Sequence, residues 1–422
     1  MSILTLLVRS LRSHPSQRMP VNHVIVWAVI VALPWAAICP AAENWQMYTI
    51  DASSRGADGV RLVDVNADGL ADIATGWEEG GQICIYLNPG PEKAKKTWPA
   101  VTVGQVSSPE DAVFVDVDGD GAVDVVSCCE GRTRTIYVHW APKDASKYLD
   151  PAAWTTEAIP ATEDRQMWMF CVPMQVDHLW GIDLVVGSKG AGAMVGWLQA
   201  AEDPRDLNAW KLHRLRDAGW IMSLILADMD ADGDEDILFS DRRGPESGMY
   251  WLELVALSYP ADARAWDTHA IGATGSEIMF IACEPTAGGR EREVIAAVKP
   301  YKIQRFQAPK RKGEQWTVSE FDCDPERFGT VKAVRAADMT GDGKTELVIT
   351  CEHARGEKSG VFMASFARAA ADRPRFIDIG GAPGVKYDRI ELLDLDGDDD
   401  LDILTCEEAD NLGVIWYENP LR

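Results

Sequence analysis

The stretch Asp116–Asp124 reads DVDGDGAVD and sets four carboxylates, Asp116, Asp118, Asp120 and Asp124, within nine residues. In an ordinary turn carboxylates so close together would repel one another. Here they alternate with other residues, and Gly121 stands where the chain must double back, so their oxygens can converge on one point. Convergent hard oxygens suit a hard divalent cation, and Ca²⁺ accepts about six to eight oxygens in flexible geometry. The chemistry implied is structural, because a cation saturated by side chains and a carbonyl has little room to activate water. The plain alternative is an acidic surface turn without metal.

Little else has the spacing of a catalytic or cofactor site. His14 and His23 lie near the N-terminus, and His139, His178, His213, His269 and His353 are dispersed, none at metal-ligand spacing. No HExxH, GxSxG or Gly-rich phosphate loop accompanies them. A net charge of −25 argues against nucleic acid as a partner, since no basic patch could neutralise phosphates. Apolar residues at 46% suffice for a real core, and 25% charged residues argue against disorder.

The acidic stretch recurs, and its recurrence defines the elements that must position it. Its first residue falls at Asp64, Asp116, Asp228, Asp338 and Asp394. Two gaps are near double, and each holds an eroded copy, QVDHLWGID from Gln175 and CEPTAGGRERE from Cys283. The seven anchors then step by 52, 59, 53, 55, 55 and 56 residues, which marks a repeat architecture. Within each unit an apolar run leads into the loop, a second run leaves it, a third carries aromatics, and a fourth completes the set. Trp98, Trp154, Trp210, Trp266, Trp316 and Phe376 recur in the fourth, where packing between strands explains one aromatic per unit. Such short runs between turn residues read as strands. Four strands in each of seven units predict an all-β fold, a seven-bladed β-propeller. The last unit stops after its third strand, whereas NWQMYTI at 44–50 matches a fourth strand, with Trp45 at the aromatic place. The N-terminal strand is therefore expected to complete the last blade, closing the ring of one domain over 43–422 and removing two exposed edges.

Residues 1–42 differ from the rest. Arg9, Arg12 and Arg18 precede the apolar run Val24–Ile38, and the small Ala41 and Ala42 follow. That order predicts a secretory signal peptide, with an uncleaved anchor as the other reading. The expected location is periplasmic, cell-surface or secreted, with no membrane insertion after cleavage. Eight cysteines remain beyond Cys39, too few for a disulfide scaffold, and vicinal Cys128 and Cys129 read as buried thiols rather than a strained pair.

The nine-residue loop inside a four-stranded unit resembles the FG-GAP or VCBS repeat, found in the integrin α-subunit propeller and in many exported bacterial proteins. The resemblance implies that side chains at loop positions one, three, five and nine hold Ca²⁺, with a backbone carbonyl at seven. Carried over, the sites are Asp64, Asn66, Asp68 and Asp72; Asp116, Asp118, Asp120 and Asp124; and Asp228, Asp230, Asp232 and Asp236. The sixth unit gives Asp338, Thr340, Asp342 and Glu346, with one charge fewer, and the seventh Asp394, Asp396, Asp398 and Asp402, with Asp399 where the others have Gly. About five structural Ca²⁺ ions are thus expected. An EF-hand does not fit, since it needs a twelve-residue loop between helices.

The opposite face carries the search for function. Six residues past each loop stand Glu78, Glu130, Lys189, Arg242, Lys299, Glu352 and Glu408, so three consecutive blades present a cation to the expected channel mouth. Two places earlier the residue is always small (Gly76, Cys128, Gly187, Ser240, Ala297, Thr350, Cys406), as close packing of converging blades requires. Lys189, Arg242 and Lys299 are candidate ligand contacts for a dipolar or polyanionic group, together with Trp168, Trp180 and Trp220, aromatics that lie off the repeat positions. The leading expectation is a non-catalytic recognition or adhesion module for protein or glycan. The alternative is a carbohydrate-active enzyme, a polysaccharide lyase or hydrolase, on the same scaffold.

Overall fold

The computed structural model describes residues 44–255, 261, 265–285, 292–309, 311, 314–366 and 373–421. The N-terminal basic and apolar segment lies outside the described residues, as do positions 286–291 of the eroded fifth loop. The described chain forms seven four-stranded antiparallel sheets arranged as the blades of a β-propeller. The first strands of blades one to seven are Ala57–Val63, Pro109–Val115, Met167–Met174, Ile221–Ala227, Ile278–Pro285, Thr330–Ala337 and Tyr387–Leu393. Ring closure follows the expectation, with strand Gln46–Asp51 pairing antiparallel with Gly413–Glu418 in blade seven. Tyr48 stacks on Trp416 at 4.9 Å, and its hydroxyl donates to Glu418 at 2.8 Å.

Burial is greatest on the second strands and falls toward the outer edge, which explains the run types in the sequence. Every residue of the second strands Asp124–Cys129 and Asp402–Glu407 is buried, because neighbouring blades cover both faces. Such strands read as unbroken apolar runs. Outer strands have one covered face at most, and Thr317–Asp322 is almost wholly exposed. Trp98, Trp154, Trp210 and Trp316 stand just ahead of the fourth strand rather than within it; Trp266 opens its strand and Phe376 lies inside one. The ring nitrogens of Trp98, Trp154 and Trp210 donate at 3.0 Å to Ala94, Tyr148 and Pro204 carbonyls, fixing the connection that feeds the strand. All eight described cysteines are free thiols, Cys128 and Cys129 among the buried ones.

Small side chains on the second strands let the next blade close in. A Cβ on Gly76 would lie 3.2 Å from Pro109, and one on Gly187 only 2.6 Å from Ile221, each in the following blade's first strand. Where the residue is not glycine it reaches across, Ser240 Oγ donating to the Met279 carbonyl at 3.0 Å and Thr350 Oγ1 to the Asp388 carbonyl at 2.7 Å.

Each of the seven first strands carries a β-bulge at the same place in its pairing with the second strand. One residue is skipped by the ladder in four blades, Glu110, Met169, Met222 and Lys332. Two are skipped in the others, Gly59 and Val60, Met279 and Phe280, and Asp388 and Arg389, with the neighbouring Asp58 still paired. A bulge re-aims a side chain, and here most of the skipped side chains line the axial channel.

Removal of residues 44–51 uncovers the edge of Gly413–Glu418. We expect a lower melting temperature and self-association in size-exclusion chromatography; a monodisperse variant melting like the intact chain would show that the closing strand is dispensable.

Candidate functional site

The acidic loops sit between first and second strands, and their own backbone shapes them. Asp116 accepts the Asp120 and Gly121 amides at 3.1 and 3.0 Å, and Asp64 and Asp338 repeat the pattern on their own loops. Gly121 adopts a φ of 89°, and Asp399 takes the same left-handed region at 67°. The ninth-position carboxylate is buried in every described loop and does separate work. Asp124 accepts from Val117 at 3.1 Å and from Ala141 at 2.7 Å, tying the loop to the third strand; Asp72, Asp183 and Asp402 do likewise.

The donor set fits a hard cation best in blades two and four. Carboxylate oxygens of Asp116, Asp118 and Asp124 lie within 4.8 Å of one another, as do those of Asp228, Asp230 and Asp236. Asp228 Oδ1, Asp236 Oδ1 and Asp396 Oδ1 are buried and accept no hydrogen bond among the described residues. Burial pushes the Asp124, Asp236 and Asp402 carboxyls up to about 7. In blade four Glu253, from the third strand, joins Asp230 and Asp232 and is held by His269 at 2.8 Å, with that ring stacked on Trp251. Glu253 was invisible to loop spacing; the signal was its place seventeen residues past Asp236, where Ala141 and Asn419 present backbone amides to Asp124 and Asp402 in blades two and seven. Basic side chains also reach the loops: Arg205 meets Asp118 and Asp120, Lys143 meets Asp120 at 3.3 Å, Lys95 meets Asp396 at 2.9 Å, and Lys344 meets Asp342.

In the eroded blade three, amides stand where other loops gather carboxylates. Gln175 Nε2 donates to the carbonyls of Gly181 at 2.7 Å and Leu179 at 3.3 Å, Gly181 being the loop's seventh residue. Gln199 Nε2 donates to Asp177. Two amides thus satisfy the oxygens, while Asp183 keeps its tie to the third strand. Trp180, at this loop, is 57% exposed. In blade six Thr340 turns its hydroxyl to Glu346 at 3.4 Å.

On the opposite face five of the seven expected rim residues, Glu78, Glu130, Lys189, Arg242 and Glu352, come together with Trp220 around a cavity of about 220 Å³, whereas Lys299 lines a different cavity beside Pro300 and Tyr301. The three expected cations are not free, since each is already held by a carboxylate. Lys189 pairs with Glu130 and with Glu110 at 3.3 Å, Arg242 with Glu277, and Lys299 with Glu352 and Glu277. The skipped residue Lys332 forms a separate knot, reaching Asp388 at 2.9 Å and Glu408 at 3.0 Å, while Lys386 also meets Glu408. Trp220 lies between Lys189, Arg242 and Arg243, at 4.7, 4.4 and 4.6 Å from its ring, and its buried Nε1 has no acceptor among the described residues. Trp168 does not belong to this surface: it is fully buried, and its ring nitrogen donates to the Thr162 carbonyl at 3.1 Å. Its neighbours in the core account for it. His139 is likewise a core residue, bonded to Ser127 and Thr156, with burial pushing it down to about 3.

Loop spacing gave no hint of the acids inside the mouth. Burial, then the Asp388 and Glu408 charges, push Asp58 well above the ordinary carboxylate range, and burial does the same to Glu110 beside Glu130. Asp388, buried as well, is nonetheless held low by Lys332. Asp58 with Asp388, and Glu110 with Glu130, are therefore adjacent acids, one member of each pair, Asp58 and Glu110, having its pKa raised by burial. All but Glu130 stand in or beside the bulges, six residues ahead of a loop.

Residues 64–127, from the first loop into the second strand of blade two, match the model of the FG-GAP-like repeat. No curated protein matches the sequence. Among solved structures, BBS1N in complex with ARL6DN is similar at a TM-score of 0.50 and 11% identity, over 90% of this chain and 97% of that one. The β-propeller domain of Myceliophteria thermophila Cps50 (Swd1) is similar at 0.51 and 12%, over 89% and 99%. At such identities the likeness is one of fold.

Lys332→Met leaves Asp388 buried without its ion-pair partner and Glu408 with Lys386 alone. Urea unfolding at neutral pH should show a loss of about 3–5 kcal/mol, largely restored by adding Asp388→Asn and Glu408→Gln. Because Lys332 depresses the Asp388 pKa, that carboxylate stabilises the fold above its unfolded value near about 4 and loses the contribution as pH falls below it. A neutral effect of Lys332→Met would show this knot to be energetically idle.

Proposed function

We propose, from the premise that the chain is an FG-GAP-repeat β-propeller, that it is an exported, calcium-stapled, non-catalytic recognition module. Its ligand docks at the channel mouth opposite the acidic loops. The observation that carries this reading is Trp220, an aromatic outside the repeat pattern whose ring N–H is buried without an acceptor and whose face is ringed by cations. A ligand carbonyl or carboxylate satisfies that donor. Lys189, Arg242 and Lys299 already hold carboxylates, so a polyanion must break existing pairs, whereas a protein segment carrying both signs exchanges partners without leaving a charge unmatched.

The five acidic loops, through Asp64, Asp116, Asp228, Asp338, Asp394 and their companions, each hold one Ca²⁺ in this reading. The orphaned oxygens of Asp228, Asp236 and Asp396 support it. The ion would neutralise clustered carboxylates and lock the turn between the two inner strands, which is a structural role. The basic, apolar, then small order of residues 1–42 supports export to the periplasm, cell surface or medium.

One observation favours a second reading as a carbohydrate-active hydrolase or lyase. The pairs Asp58–Asp388 and Glu110–Glu130 set two acids side by side at a cavity, with Asp58 and Glu110 raised well above the ordinary carboxylate range, and paired acids of unequal pKa are what acid–base chemistry on a glycosidic bond uses.

Peptide arrays of mixed charge and glycan arrays including uronic acid polymers, probed with wild type and Trp220→Ala, test the mouth. We expect peptide binding by the wild type, weakened at least about tenfold in Trp220→Ala with an unchanged melting curve. No binding on either array, or equal binding by the variant, would sink the reading; release of cleaved or unsaturated sugars would put the enzyme in its place.

Calcium removal is expected to lower the melting temperature by more than about 5 °C, with recovery on adding Ca²⁺ and not Mg²⁺. A melting curve indifferent to chelator would show that the loops work without metal.

A further inference from the structure

A second axial cavity, of about 340 Å³, is walled mainly by apolar residues of the first strands, among them Val172, Ile225, Phe280 and Val334. Phe280 lines this cavity and the mouth cavity alike, and packs edge-to-face on Phe170 at 5.7 Å, so it stands between the two. Three arginines enter the apolar wall. Arg61 and Arg335 each stand three residues ahead of an acidic loop, placing this cavity on the loop side of the axis.

Two of the three are matched. Arg61 donates to both oxygens of Asp111, at 2.9 and 2.6 Å, and Arg335 to Glu391 at 2.6 Å. Arg389 is not: among the described residues its guanidinium makes neither a hydrogen bond nor an ion pair, and it lies 5.6 Å from the centre of the Phe280 ring. Burial, then the neighbouring Arg61, push its pKa down to about 10, so it keeps its charge at neutral pH. Its position in the two-residue bulge of blade seven turns it inward. Arg389 is half-buried, and the Asp111 and Glu391 charges that favour its ionised form are themselves bonded to Arg61 and Arg335. A charge partly withdrawn from water without a direct partner costs folding stability, and a ligand that brings a directly bonded anion returns that cost.

We propose that Arg389 anchors a binding site for a single carboxylate borne on a small organic ligand, received in the loop-side cavity with Phe280 as its floor. The planar guanidinium fork matches a carboxylate in two parallel hydrogen bonds. One unmatched cation suits a monoanion, since a phosphate dianion would bring a charge the cluster leaves unanswered. A volume of about 340 Å³ accommodates a small acid and its apolar portion. The site shares none of the rim cations and stands or falls independently of the mouth.

Calorimetric titration and melting curves of the calcium-loaded chain test it, with acetate, benzoate and glucuronate as probes at constant ionic strength. Benzamide serves as the neutral control and inorganic phosphate as the competing oxyanion. The expected result is binding and stabilisation by at least one carboxylate, none by benzamide, and weaker binding of phosphate. Arg389→Gln should raise the melting temperature without ligand and weaken carboxylate binding at least about tenfold, with Arg389→Lys intermediate in affinity. A wild type indifferent to all three carboxylates would overturn the proposal, as would an Arg389→Gln protein that binds them normally or melts lower than the wild type. Phosphate binding tighter than any carboxylate would overturn the assignment of the ligand class.

Discussion

Seven twisted sheets can share one axis only if each inner strand lies against the backbone of its neighbour, and that proximity governs the rest of the structure. It forbids bulk on the second strands, where Gly76, Gly187 and Ser240 meet the next blade directly. It also keeps water from both faces of those strands, so each must be apolar or internally bonded along its length. Any polar residue turned toward the axis then enters a confined space where charges must find one another. The pairs of Lys189 with Glu110 and Glu130, the chain from Arg242 through Glu277 and Lys299 to Glu352, and the separate knot around Lys332 answer that confinement. The bulges are its geometric counterpart, because they let a strand point a side chain into the channel without surrendering its pairing on either side.

The architecture was legible because it rests on features that repeat. Loop spacing, small residues and aromatic places recur about every 55 residues, and each reflects a contact made seven times over. Ring closure was legible too, since a missing strand at one end and a spare at the other leave one arrangement. The channel was not. Its content depends on which residue a bulge skips, and a bulge shows in the sequence only as a departure from alternation that inner strands, buried on both faces, do not display. Lys332 and Asp388 consequently read as ordinary strand residues. Trp168 misled for a related reason: it falls outside the fourth-strand pattern because it packs in the core of its own first strand, not because it faces a ligand. Trp220, one blade on and equally irregular, does reach the mouth.

The loops divide labour in a way their motif conceals. The ninth-position acid persists in blade three although the cation pattern is gone, because its two backbone bonds hold the loop to the third strand. Around it Gln175 and Gln199 supply neutral donors where other blades gather charge. Erosion of a repeat is thus a change of chemistry within an unchanged frame. Counting carboxylates alone overstates the loss.

The pairing of Gln46–Asp51 with Gly413–Glu418 also imposes an order in time. The hydrogen bond from Tyr48 to Glu418 joins residues 370 positions apart, whereas most other strand pairs are local hairpins. Local hairpins form quickly, while contacts between distant residues wait on the loop entropy of everything between them. Blades one to six can assemble as the chain emerges, but the first strand to appear has no partner until the last has arrived. The chain therefore passes through an open arc whose two ends are complementary edges, and its vulnerability to mispairing with another copy is confined to that interval.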